Sequence, residues 1–123
     1  MPRGRDASLE LAYAASDAYE HEDANLAVID GVLEDLFERA EVADLDTVAL
    51  RRELRFVLAT NRTAPTCMRM MALADEIRTA NAQVHETSGR RERRVWRKHA
   101  EKMHAELTQQ VAVTLDALIA ESR

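Results

Sequence analysis

Glu101 and His104 stand three residues apart. That Glu-x-x-His spacing sets a carboxylate and an imidazole on one helix face, where they can share a metal ion. Helical di-metal sites need two such motifs and two more carboxylates from facing helices. This chain holds one motif, and the nearest residues to complete it are Asp17, Glu20 and His21 on an earlier predicted helix. All five are read as surface residues and no metal is expected. His85 and His99 are single and flank polar stretches, so they too are read as surface groups. No Ser/His/Asp or Cys/His grouping has the spacing of an activated nucleophile. Gly4, Gly31 and Gly89 are the only glycines, which excludes a glycine-rich phosphate loop. The acidic pairs Glu34-Asp35 and Asp75-Glu76 lack the second carboxylate motif with which all-α pyrophosphohydrolases hold magnesium. The expectation is a non-enzymatic chain with no catalytic residues, no cofactor and no small-molecule substrate.

The densest chemistry is electrostatic. Residues 90–102 read Arg-Arg-Glu-Arg-Arg-Val-Trp-Arg-Lys-His-Ala-Glu-Lys, seven basic and two acidic side chains around one tryptophan. On a helix Arg90, Arg94, Arg97 and Lys98 share a side and can grip phosphates. The candidate nucleic-acid-binding set is Arg90, Arg91, Arg93, Arg94, Trp96, Arg97, Lys98 and Lys102, with Trp96 able to stack on an exposed base. The structural alternative makes Trp96 a packing anchor and leaves the arginines solvated or paired with the acidic half of the chain. A second route to DNA is a helix-turn-helix across residues 61–66, but a plain helical hairpin fits better, because the helices are long and the turn lacks glycine.

Helices must carry these residues. Ser8 can cap a first helix with Leu9, Ala12, Tyr13, Ser16 and Tyr19 inward, after a flexible arm at 1–7. Asp23 can cap a second, whose stripe is Leu26, Ile29, Leu33, Leu36, Phe37 and Ala40. One continuous helix over 8–41 is the alternative, and Gly31 marks either close packing or a kink. After a link at 41–44, Asp44 or Asp46 caps a third helix over 46–60 with Leu50, Leu54, Val57 and Leu58 inward. Pro65 suits the first turn of a fourth, which carries Cys67, Met70, Met71, Ala74, Ile77 and Val84. Thr87-Ser88-Gly89 is the strongest stop. A long basic helix over about 90–121 follows, with Trp96, Ala100, Met103, Leu107, Val111, Leu115 and Leu118 in steps of three and four.

The composition agrees with this reading. The 123 residues are 46% hydrophobic, 4% aromatic and 32% charged. That predicts one all-α domain over 1–123, a bundle of four to five helices with no membrane span. Cys67 is the only cysteine, so no internal disulfide is available and a cytoplasmic setting is expected. Arginine outnumbers lysine 15 to 2. Residues 1–50 hold 3 basic and 13 acidic side chains, and residues 51–123 hold 14 basic and 9 acidic. Such asymmetry points to halves that pair, to copies that associate, or to an outside polyanion.

The functional expectation is therefore a helical interaction and oligomerisation module. Its last helix is expected to run beyond what the chain can cover and to self-associate through Trp96, Met103, Leu107, Val111, Leu115 and Leu118. The alternative is a nucleic-acid-binding adaptor or regulatory subunit, which has the general look of small helical subunits of phage and bacterial machines. A small metal-dependent helical enzyme is the minor alternative.

Overall fold

The computed structural model describes residues 18–39 and 46–121. In it the Asp46 carboxylate accepts a hydrogen bond from the Ala49 N–H at 3.0 Å, capping a helix over Thr47–Thr60. Of the two expected caps, Asp46 is the one used; Asp44 lies outside the described residues. Among the described residues four helices follow one another from Glu22 onward: α1 (Glu22–Arg39), α2 (Thr47–Thr60), α3 (Pro65–Glu86) and α4 (Arg90–Glu121). Every regular element among the described residues is helical, so the chain is an all-α bundle. Pro65 opens α3, where a missing N–H costs nothing. Ahead of α1, a turn at Glu20 and His21 separates it from the helical residues Ala18 and Tyr19, which rules out one continuous helix through this point. Gly31 faces open space, with nothing within 4 Å of an added Cβ, so it marks no close packing. The expected arm at 1–7, the first-helix face Leu9 to Ser16, Asp17, Ala40 and the link at 41–44 lie outside the described residues.

Charge sets the register of the helices. Glu22 pairs with Arg62, Asp30 with Arg55 and Glu34 with Arg51. As one partner's number rises the other's falls in step, so α1 and α2 are antiparallel. Arg69 with Glu106, and Glu76 with His99, set α3 and α4 antiparallel in the same way. The acidic first half thus meets part of the basic second half inside one chain. Such partly exposed pairs contribute about 0.2–1 kcal/mol each and mainly fix register.

The apolar stripes meet in one core. Ile29, Val32 and Leu33 of α1, Leu50, Leu54 and Leu58 of α2, Cys67, Met70, Met71, Leu73, Ala74 and Ile77 of α3, and Leu107, Val111, Leu115 and Leu118 of α4 form a single buried cluster. Helix α3 is buried along successive positions from Met70 to Ala74, so it is the central helix. Its outer side, with Glu76, Thr79 and Asn81, stays exposed. Residues 61–64 join α2 to α3, and these two helices meet through the shared core rather than packing along each other as a hairpin. Cys67 is buried among these side chains, 3.9 Å from the Val57 carbonyl oxygen, and burial pushes its thiol pKa up. A neutral, covered thiol is unreactive. Maleimide labelling of Cys67 is expected to be at least tenfold slower in the native protein than in denaturant, and equal rates would contradict this packing.

One buried polar group ties the segments together. Asn25 donates to the Ala18 carbonyl at 2.7 Å and to Asp75 Oδ1 at 3.2 Å, and accepts from Arg78 Nη1 at 3.1 Å. Its side chain is fully buried, with both amide hydrogens donated and the oxygen accepting, which is the condition for a polar group to be tolerated there. The sequence held a signal for it: Asn25 lies four residues before Ile29, on the inward stripe of α1.

Helix α4 corrects the largest structural expectation. At 1.5 Å per residue its 32 residues span about 48 Å, against about 33 Å for the 22 of α3. The excess does not project bare. Leu115 and Leu118 share the buried cluster with the leucines of α2 and the aliphatic side chains of α1. Leu107 and Val111 are completely covered, Met103 is packed against the same cluster, and Trp96 is half-buried. Of the residues expected at an oligomer interface, Met103, Leu107, Val111, Leu115 and Leu118 therefore pack in or against this chain's own core, while Trp96 stands half-exposed outside it. The misreading has a physical cause: a seam stepping by three and four buries equally well against a second copy or against two antiparallel neighbours.

Candidate nucleic-acid interface

The turn at residues 87–89 sends the chain back along α3 and starts α4 at Arg90, where the Arg93 N–H donates to the Gly89 carbonyl at 3.0 Å. Ala100 and Leu107 mark the inward side of α4. At 3.6 residues per turn, Arg91, Arg94, Lys98 and Lys102 fall opposite them, with Arg90 and Arg97 on the flank and Arg93 in line with Ala100, exposed near the start of the helix. All seven basic side chains of residues 90–102 are exposed. They occupy about 18 Å of helix axis. Duplex DNA presents one phosphate charge per ~1.7 Å of its own axis, so several phosphates lie within reach of such a row.

Most other arginines among the described residues have internal partners, Arg39 and Arg52 being the exceptions. Arg51, Arg55, Arg62, Arg69 and Arg78 each hold a carboxylate. Asp30 holds the Arg55 guanidinium through a hydrogen bond and raises its pKa, so that charge is committed. Among the described residues, none of Arg90, Arg91, Arg93, Arg94, Arg97, Lys98 and Lys102 makes an ion pair. The charge matching that secures α1 to α2 stops short of α4, and its cationic row is left to solvent.

Trp96 is less free than the arginines around it. Its ring meets the His99 ring edge-on, at 6.1 Å and 80°, and His99 lies 3.1 Å from Glu76 on α3. The indole is thus half-buried at the α3–α4 contact, between the packing role and the stacking role expected for it.

The metal reading finds no support among the described residues, where no three His, Cys, Asp or Glu side chains converge. Glu20 and His21 are exposed beside the turn that precedes α1, and Asp17 lies outside the described residues. Glu101 and His104 line a groove of about 480 Å³ with Arg39, Asn81 and Thr108 over Ile77 and Ala100. Sequence reasoning missed this groove because Arg39 and Asn81 come from separate helices and share no motif with the α4 pair. The Thr108 hydroxyl donates back to the His104 carbonyl at 2.8 Å, which commits its proton to the helix backbone.

No helix among the described residues is long and apolar enough to cross a membrane. Fold and surface together define an all-α bundle with a free cationic helix face. No family model matches the chain, and no curated protein or solved structure matches it either.

Proposed function

We propose that this chain is a non-enzymatic helical binding module that holds a nucleic acid on the cationic face of α4. The observation that carries the reading is the cluster of seven exposed basic residues within residues 90–102, none with an ion-pair partner, while five of the other seven arginines among the described residues are paired and only Arg39 and Arg52 are not. Arginine dominates the row, and its planar fork suits phosphate oxygens better than lysine's point charge. The net charge of −5 does not oppose this, because repulsion from the acidic α1 is screened within about 8–10 Å at ordinary salt. The row carries no exposed Asn or Gln to read base edges, so contact is expected to be with the backbone and largely independent of sequence.

The test is retention of a labelled duplex and a labelled single strand at about 50 and 200 mM salt. The wild-type chain is expected to retain nucleic acid at the lower concentration. The variant Arg93→Glu, Arg94→Glu, Arg97→Glu is expected to lose retention at least a hundredfold while melting at an unchanged temperature, since all three side chains are exposed. Absence of wild-type binding at the lower salt, or full binding by the variant, would overturn the proposal.

A further inference from the structure

The geometry points to a head-to-tail contact between two copies of this chain, in which Val95 of one copy enters a groove between α2 and α4 of the next. The groove lies at the far end of the bundle from the basic row. It has a volume of about 400 Å³ and is lined by Glu53, Phe56, Val57, Leu118 and Glu121. Its floor is apolar and its rim carries two carboxylates. Phe56 is 67% exposed, costly for an aromatic ring that lacks a polar handle.

Val95 is the matching piece. It is 62% exposed on α4 and stands among Arg91, Arg94, Lys98 and Lys102. An apolar knob with more cations than carboxylates about it, Glu92 being the one acidic neighbour, thus faces an apolar groove lined by Glu53 and Glu121 with Arg52 beside it, and this net complementarity of charge and polarity favours a second copy as the occupant. Val95 and Leu118 are 23 residues apart on one helix, about 34 Å along its axis. Knob and groove therefore sit at opposite ends of each copy, and a contact between different surfaces repeats into a ring or a short filament. The patch is small, so the contact is expected to be weak and salt-sensitive. The inference stands apart from the nucleic-acid reading, although both use the arginines of α4.

Sedimentation equilibrium at about 200 μM protein and about 50 mM salt tests it, salt being chosen so that screening stays modest. The wild-type mass is expected to rise with concentration above 13.9 kDa. Phe56→Glu and Val95→Glu, each at an exposed position, are expected to weaken association at least tenfold with unchanged melting. Mixed together, the two variants should form a dimer that grows no further, because one keeps its knob and the other its groove. A monomeric wild type, association indifferent to both substitutions, or no recovery on mixing would each overturn the inference. Phe56→Glu leaves the basic row intact, so its retention of nucleic acid reports separately on the proposed function.

Discussion

Leu107→Ala is expected to destabilise the fold by about 2–5 kcal/mol, measured by urea or thermal unfolding. The leucine is completely buried at the middle of α4, in the cluster that α1, α2 and α3 all join. Truncation removes its transfer free energy and leaves a cavity that three packed helices cannot collapse around. Domains of this size hold only about 5–15 kcal/mol in total, so the loss is a large share of it. The same result decides between the two readings of the α4 seam. Were Leu107 at a weak contact between copies, its truncation would change association and leave monomer unfolding nearly untouched. A cost below about 1 kcal/mol would contradict the placement of Leu107 in the intrachain core.

The helices were legible because periodicity and caps are local signals. Asp46, Pro65 and the stop at residues 87–89 bound their helices where the sequence reading puts them, and α4 runs over the expected 90–121. Leu50, Leu54 and Leu58 face inward as their spacing requires. The pairing of stripes was not legible. Trp96 through Leu118 forms a seam that reads the same against any apolar neighbour, and spacing alone does not say that from Met103 onward this chain's own core takes it up. Val32 and Leu73 are fully buried, yet both fall beside the stripes chosen from sequence. The hydrogen bonds of Asn25 were not legible either, because its partners Asp75 and Arg78 are 50 and 53 residues away. The basic row was legible as composition, while its lack of internal partners depends on where α1 directs its carboxylates.

The second large effect is that of salt. If four to seven of the cations on α4 neutralise phosphates, binding should fall with a log–log slope of about −4 to −6 against salt concentration. Between 50 and 200 mM that amounts to a loss of roughly 10² to 10⁴ in affinity. The slope counts contacts, so removing one cation should lower its magnitude by about one. Arg94 and Lys98 lie at the middle of the outward face and should each show this. Arg51 and Arg55, already held by Glu34 and Asp30, should not.

Anisotropy titration of a labelled duplex across a series of salt concentrations tests the central claim most directly. The account predicts a slope near −5, reduced by about one unit in Arg94→Ala and unchanged in Arg55→Ala. Failure to bind at about 50 mM salt, or a slope equally indifferent to both substitutions, would contradict it.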